Sequence, residues 1–296
     1  MTGATTVDAR WCVAHPLPLH GEGTDKNSRG RVLAVGGAET VPGALLLTGE
    51  AALRAGAGKL RMATVASAAI ALGVAMPEAA TRALPADEEG EIAASACEIL
   101  AGDLSRCDTL VLGPGMTGGD QTRLLVEGLL ALPRKGLSII LDAAAIGSAS
   151  ALREAIRAHE GRVILTPHFG EMAALSGRSE AEVAAAPAQL ALAIARDFGA
   201  VIVLKNSRTV IAAPDGALLD YHSDCVGLAT GGSGDVLAGI IGGLVARGAA
   251  PLIAAAWGVW LHGEAGRRAE RSSGPIGFLA RELLPELPGL MASPAS

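Results

Sequence analysis

The feature that most constrains the fold is an alternation of short apolar runs with longer stretches of helical length. Arg31–Val35, Thr109–Leu112 and Val201–Leu204 are such runs, and Ala44–Ala57 and Thr122–Leu132 are among the helical stretches between them. Strands that are apolar throughout, rather than at every second position, are typical of a parallel sheet covered on both faces. The sequence therefore predicts an α/β fold of three layers, with a mostly parallel central sheet and helices on both faces.

Further strands are expected at Lys59–Thr64, Ser138–Leu141 and Arg162–Leu165. We expect one catalytic domain over residues 27–284, after an irregular N-terminal lead-in over residues 1–26 and before a frayed C-terminal tail over residues 285–296. The apolar stretch Val236–Gly263 is interrupted by Arg247 and Pro251, so it predicts a buried helix pair rather than a membrane span.

Composition narrows the class of protein. Half of the 296 residues are apolar and 18% are charged, which excludes a disordered chain, and the net charge of −6 argues against nucleic acid as a partner. No signal peptide is recognisable at the N-terminus. The cysteines form no CxxC pair and lie at no metal-ligand spacing from a histidine; they are Cys12, Cys97, Cys107 and Cys225. We expect a cytoplasmic protein with reduced thiols, no membrane association and no metal site built from side chains.

Residues of unusual chemistry follow the predicted strands. Gly36-Gly37, Gly113-Pro114-Gly115, Asp142, Thr166-Pro167-His168 and Lys205 each stand at the carboxyl end of a strand. Ligands of open α/β sheets bind outside that edge. Each residue also has a structural explanation: the glycines as tight turns, Asp142 as a helix cap, and His168 as a surface residue. Lys205, at the end of an apolar strand, needs an anion, and a nucleotide phosphate would serve.

The sharpest motif is Ala229-Thr230-Gly231-Gly232-Ser233-Gly234-Asp235, directly before a long apolar helical stretch. Backbone N–H groups of a glycine-rich turn at a helix N-terminus form an anion site. Asp235 could be only a first-turn carboxylate stabilised by the helix dipole, but a cap does not account for three glycines and a serine before it. A carboxylate beside a phosphate site can accept a proton from an attacking hydroxyl. No lysine follows the last glycine, so this is not a Walker A motif.

Taken together, these segments resemble the ADP-dependent NAD(P)H-hydrate dehydratase family, which has a ribokinase-like fold. The glycine-rich motif marks the wider ribokinase-like group. Two pieces are more particular to the family: Arg54-Ala55-Gly56-Ala57-Gly58 and Thr166-Pro167-His168-Phe169-Gly170-Glu171. The resemblance runs from about Lys26 to Gly266.

The resemblance implies repair of NADHX or NADPHX, nicotinamide cofactors hydrated at C6. ADP or ATP would phosphorylate the C6 hydroxyl, with Asp235 as catalytic base and Mg²⁺ on the phosphate oxygens, and elimination of phosphate would restore NADH or NADPH. The implied hydrate-binding residues are Ala44, Gly115, His168 and Asp235. The implied nucleotide-binding residues are Lys205, Asn206, Ser207, Arg208, Thr209, Gly232, Ser233 and Gly234.

The chain departs from the family pattern at three places. Ala144 replaces a second carboxylate after Asp142, Asn206 replaces a glycine after Lys205, and Ser223-Asp224-Cys225-Val226 replaces a Gly-Asn-Pro segment. The chain is also too short for the N-terminal epimerase domain of many members, so we expect functional pairing with a separate epimerase, and a homo-oligomer. Two alternatives stay open: a small-molecule kinase of the same fold, and a non-catalytic nucleotide sensor.

Overall fold

The structure is a computed structural model that describes residues 4–21, 23–132 and 134–294. One ten-stranded sheet runs through the described part of the chain. Its strands are β1 (Thr5–Thr6), β2 (Arg31–Val35), β3 (Lys59–Val65), β4 (Ala80–Leu84), β5 (Thr109–Leu112), β6 (Ser138–Leu141), β7 (Val163–Leu165), β8 (Val201–Leu204), β9 (Arg208–Ala212) and β10 (Leu218–His222).

The strand order across the sheet is β1-β10-β9-β8-β7-β6-β5-β2-β3-β4. Only the pairings of β9 with β8 and with β10 are antiparallel, so the prediction of a mostly parallel sheet is confirmed. Seven neighbouring strands, from β8 to β4, therefore have their carboxyl ends at one edge of the sheet.

Helices cover both faces of this sheet. They are α1 (Ala9–Ala14), α2 (Gly43–Arg54), α3 (Ala66–Ala75), α4 (Ala96–Leu104), α5 (Asp120–Leu130), α6 (Ala144–Ala149), α7 (Arg153–Arg157), α8 (Phe169–Ser176), α9 (Glu180–Ala185), α10 (Pro187–Phe198), α11 (Ser233–Ala246), α12 (Pro251–Ser273) and α13 (Leu287–Ala292). Short 3₁₀ helices occur at Ser150–Leu152, Val226–Leu228 and Ala280–Glu286.

Two apolar clusters lie on opposite faces of the sheet. Alternate residues of one strand enter different clusters, as Val111 does on the α2, α11 and α12 side and Leu110 and Leu112 do on the α4, α5 and α10 side. This follows from the two-residue period of a strand. The predicted buried helix pair over Val236–Gly263 is present as α11 and the first half of α12.

Both chain ends are more structured than the expected lead-in and tail. Within residues 1–26, β1 pairs with β10, and Asp8 caps α1 by accepting a hydrogen bond from the Trp11 backbone at 2.7 Å. Within residues 285–296, α13 buries Leu287 and Leu290 against the core. Residues 1–3, 22, 295 and 296 of these segments lie outside the described residues. Neither end shows this packing in its local sequence, because long-range contacts create it.

Strands β4 and β10 were not expected from the sequence. Both lie at or near the sides of the sheet, where β4 leaves most of its residues exposed and β10 carries Asp220 and His222. Such strands lack the continuous apolar run that marks a central strand. In the described part of the chain, no helix combines the length and apolarity that a membrane span requires.

Candidate active site

The carboxyl ends of β6, β7 and β8 bring together three polar side chains. The Lys205 ammonium donates to Asp142 Oδ1 at 2.9 Å, and the Thr166 hydroxyl donates to the same oxygen at 2.5 Å. Asp142 is 2% exposed and caps no helix. The explanation of Asp142 as an N-cap is therefore wrong: its carboxylate holds the lysine.

Helix α8 begins at the same edge with a reciprocal cap. His168 Nδ1 accepts from the Gly170 and Glu171 backbones, and Glu171 Oε2 accepts from the His168 backbone N–H at 2.8 Å. Glu171 Oε2 also lies 3.9 Å from Lys205 Nζ. The cap fixes the imidazole by Nδ1, and Nε2 lies 3.6 Å from Glu171 Oε1 on a side chain that is 60% exposed. A ligand at this edge can reach His168 directly.

Lys205 is the cation at this edge, and several carboxylates surround it. Burial disfavours its ammonium, but attraction by Asp142, Glu171 and Asp235 outweighs burial and raises the pKa of Lys205. Burial raises the pKa of Glu171, against the opposing attraction of Lys205. The lysine is therefore charged at neutral pH, and it lies between the strand ends and α11.

The glycine-rich motif forms the turn into α11. Gly232 has φ +87°, which favours glycine, and a Cβ atom there would lie 2.5 Å from Leu47 Cδ1. The first backbone N–H groups of a helix have no partner within the helix, although the Ser233 N–H donates to the Thr230 carbonyl oxygen at 3.3 Å. A Cβ atom at Gly234 would lie 3.6 Å from Lys205 Nζ. An anion at this turn would therefore meet both the helix N-terminus and the ammonium.

Asp235 lies in that first turn. Its side chain is half-buried and makes no hydrogen bond with any described residue, and the Thr48 hydroxyl donates only to its backbone carbonyl oxygen. Burial, with a smaller contribution from the negative charge of Asp142, raises the pKa of Asp235 to about 6, and Lys205 opposes this. A carboxylate without a partner and with a pKa near neutrality is suited to act as a general base.

Ser233 makes a different contact from its neighbours. Its hydroxyl lies 2.9 Å from His262 Nε2 on α12, and burial lowers the pKa of His262 to about 4. His262 is therefore an interhelical residue and is neutral at pH 7. Of the predicted nucleotide-binding residues at this turn, Ser233 turns its side chain to α12, while Gly232 and Gly234 leave the backbone accessible.

The predicted hydrate-binding residues Ala44 and Gly115 lie against each other. A Cβ atom at Gly115 would lie 2.7 Å from the Ala44 Cβ atom, so the contact requires that glycine. One turn along α2, the Thr48 hydroxyl donates to the Ala44 and Asp235 carbonyl oxygens at 3.0 and 3.2 Å. Thr48 thereby ties this corner of the site to the first turn of α11.

The segment Lys205–Thr209 comprises the turn between β8 and β9 and the first two residues of β9, and its side chains point in different directions. The Lys205 ammonium enters the site, whereas Arg208 pairs with Asp220 on β10. The Thr209 hydroxyl donates to the Asn206 carbonyl oxygen at 2.9 Å, and Asn206 Oδ1 accepts from the Ser207 backbone at 2.8 Å. Asn206 therefore stabilises the turn where the family more often has glycine.

Three residues of this site did not emerge as site residues from the sequence. Asp142 followed a strand end, which was the signal, but a cap explained it equally well. Glu171 stood three residues after His168, a spacing that only indicated a helix start. Thr48 carried no signal beyond its place one turn after Ala44.

In the described part of the chain no cluster of three or more His, Cys, Asp or Glu residues could hold a metal ion.

Comparison with known proteins decides the family. The family model described as NAD(P)H-hydrate dehydratase matches residues 32–289. The chain belongs to the NAD(P)H-hydrate dehydratase family. The ADP-dependent (S)-NAD(P)H-hydrate dehydratase of Xanthomonas campestris pv. campestris is 47% identical over 98% of each chain. The chain spans about half the length of bifunctional relatives: the NAD(P)H-hydrate repair enzyme Nnr of Moorella thermoacetica is 39% identical over 95% of this chain and 52% of its own.

Solved structures confirm the ribokinase-like fold of this NAD(P)H-hydrate dehydratase family member. A ribokinase-like superfamily protein from Enterococcus faecalis superposes with a TM-score of 0.84 at 24% identity, over 99% of this chain and 96% of its own. The ADP/ATP-dependent NAD(P)H-hydrate dehydratase of Bacillus subtilis, co-crystallised with ATP and Mg²⁺, gives 0.81 at 27% identity over 99% of each chain.

Proposed function

We propose that this protein is an ADP-dependent dehydratase that converts (S)-NADHX or (S)-NADPHX back to NADH or NADPH. One observation carries the proposal: Asp235, half-buried and without a partner, lies in the first turn of α11 across from the Lys205 ammonium. The 47% identity to the Xanthomonas enzyme over nearly the whole chain supports the substrate assignment.

The proposed reaction begins with a proton transfer. The C6 hydroxyl of the hydrate attacks the terminal phosphorus of ADP, Asp235 accepts the hydroxyl proton, and AMP leaves. The backbone N–H groups at Gly232–Gly234 and the Lys205 ammonium stabilise the charge on the phosphoryl oxygens. The C6–O bond then breaks with loss of inorganic phosphate, driven by the lone pair of the ring nitrogen, and leaves an iminium ion. Loss of the C5 proton, to the departing phosphate or to water, forms the C5=C6 double bond and restores the reduced nicotinamide.

We propose Mg²⁺ as a partner of the nucleotide rather than of the protein. Magnesium prefers substrate phosphates, one or two carboxylates and retained waters. Asp142 is already bonded to Lys205 and Thr166, and Ala144 supplies no second carboxylate at this loop. The residues therefore fit a phosphate-bound ion, which would neutralise phosphate charge.

The test is recovery of the reduced-nicotinamide absorbance from NADHX with ADP and Mg²⁺. We expect wild-type turnover, and Asp235→Asn, which keeps the shape but loses the base, to lower kcat by about 100-fold or more. ADP affinity by calorimetry should change little. Asp120→Asn, at a residue whose side chain is 91% exposed on α5, is the matched control and should retain full activity.

Two outcomes would overturn the proposal. A stable phosphorylated alcohol formed from ATP, with no recovery from NADHX, would identify a kinase of the same fold. Nucleotide binding without any wild-type turnover would identify a sensor. No feature of the site favours either over the dehydratase.

The cellular setting follows as part of this proposal. We propose a cytoplasmic enzyme, since the four cysteines are free and the substrates are soluble nicotinamide nucleotides. We also propose that an epimerase works together with this enzyme and supplies the S epimer, since several relatives are named bifunctional repair enzymes. We also propose a homo-oligomer, which sedimentation would test.

A further inference from the structure

A second cavity lies at the opposite end of the sheet, below the amino ends of the strands. It occupies about 880 Å³ between the segment before β2, the C-terminal ends of α2 and α11, and helix α13. We call it the basal cavity. Its apolar walls include Leu53, Trp257 and Met291. The active site lies at the carboxyl edge, so the basal cavity takes no part in the proposed reaction.

The polar groups of the basal cavity are all cationic or neutral. Arg29, Arg54, Arg247 and His20 line it, and none of the described lining residues is an aspartate or a glutamate. Arg54 is neutralised by Glu50 at 2.7 Å, whereas Arg29 and Arg247 make no ion pair with any described residue. Two positive charges therefore face this cavity without a counter-charge.

The two guanidinium groups lie side by side at Gly56. Arg29 Nε and Nη2 donate to the Gly56 carbonyl oxygen at 3.3 and 3.2 Å, and a Cβ atom at Gly56 would lie 3.1 Å from Arg247 Cδ. Arg247 Nη2 donates to the Pro18 carbonyl oxygen at 2.9 Å. Burial, and then repulsion by Arg29, lowers the pKa of Arg247. Like charges at this distance are unfavourable unless an anion joins them.

Two buried nitrogens of the basal cavity have no hydrogen-bond partner. They are Arg247 Nε and His20 Nε2. Leaving such a group buried and without a partner destabilises the folded protein. The helix dipole at the C-terminus of α11 favours a cation at Arg247, but it leaves these two nitrogens and the charge of Arg29 unexplained. A bound anion would account for all of them.

We propose that the basal cavity binds a small amphipathic anion, a carboxylate or phosphate joined to an apolar chain. The anionic group would lie between Arg29 and Arg247, where guanidinium groups bind oxyanions by paired hydrogen bonds. The apolar chain would pack against Leu53, Trp257 and Met291. The proposal does not depend on the function of the active site.

The test is calorimetric titration of the full chain with octanoate, with 1-octanol as the neutral probe of equal chain length. We expect saturable one-to-one octanoate binding and affinity for 1-octanol at least about tenfold lower, since only octanoate can form charge-assisted hydrogen bonds with the two guanidinium groups. Arg29→Met and Arg247→Met should each weaken octanoate binding about tenfold or more. Arg106→Met removes an exposed arginine outside the cavity and should bind as wild type does.

Thermal unfolding provides a second measurement that does not need high affinity. Octanoate should raise the Tm of wild type and of Arg106→Met equally, and should raise the Tm of Arg29→Met clearly less at the same concentration. Arg29 is exposed, so this variant should fold even if Arg247→Met does not. Equal binding by all variants, equal binding of 1-octanol, or sedimentation with phosphatidylglycerol vesicles in place of octanoate binding would each overturn the proposal.

Discussion

At the scale of single residues, the candidate site combines a paired charge, at Lys205, with an unpaired one, at Asp235. Lys205 is held by Asp142, with Glu171 nearby, whereas the Asp235 carboxylate has no hydrogen-bond donor among the described residues. A carboxylate in a half-buried position without donors retains its basicity. This arrangement separates two roles, because one group is fixed as a counter-charge and the other is free to accept a proton.

The pKa of Asp235, about 6, predicts the pH below which kcat/KM falls, the acid limb of the pH profile. Below that pH the carboxyl is protonated and cannot act as a base, so kcat/KM should fall about tenfold per pH unit. Asp142→Asn removes a negative neighbour and should move the limb to lower pH. Lys205→Met removes a positive neighbour and should move it to higher pH. The measurement is the pH profile of kcat/KM, and shifts in the same direction for both variants would contradict this account.

At the scale of elements, helices α2 and α11 approach each other more closely than most helix pairs. A Cβ atom at Gly239 would lie 2.2 Å from the Thr48 carbonyl oxygen, and one at Gly243 would lie 2.3 Å from the Ala52 carbonyl oxygen. Both helices begin at the active edge. Their close contact therefore sets the distance between Ala44 and Asp235, which Thr48 bridges.

Gly239→Ala should push these helices apart. Overpacking of this kind costs about 1–3 kcal/mol of unfolding free energy, and kcat should fall as well because the first turn of α11 moves relative to α2. Gly102→Ala is the matched control, since a Cβ atom at that position of α4 meets nothing within 4 Å. It should stabilise the protein by up to about 1 kcal/mol. Urea unfolding measures both, and equal stability of the two variants would refute the packing argument.

At the scale of the whole molecule, the C-terminal segment belongs to the core. Leu287 of α13 is fully buried in the cluster that also holds α11 and α12. Leu287→Ala should therefore cost about 2–5 kcal/mol, as truncations of buried leucines do. Ile276→Ala, at a residue that is 73% exposed in the preceding loop, should cost under about 0.5 kcal/mol. Denaturant midpoints provide the measurement. If Leu287→Ala leaves the free energy of unfolding unchanged, the C-terminal segment is frayed and does not belong to the core.

The central elements could be predicted because their signal is local. Arg31–Val35, Thr109–Leu112, Ser138–Leu141 and Val201–Leu204 have the same bounds in the structure as in the prediction. Each is a mostly apolar run that is covered on both faces of the sheet. A strand covered in this way shows a continuous apolar run in the sequence, which is recognisable without knowledge of the tertiary contacts. The side strands β4 and β10, and the ordered chain ends, lacked such a signal because distant residues provide their contacts.

The sequence by itself determined the fold class, and it predicted a ligand at the carboxyl edge and Asp235 as the base at the glycine-rich motif, since period, turn residues and residue type are local properties. Only the tertiary structure decided that Asp142 holds Lys205 rather than capping a helix, that Arg208 turns away to Asp220, and that Arg29 and Arg247 meet at one cavity. These outcomes depend on which distant charges become neighbours, and electrostatic interactions act through distance in space rather than along the chain.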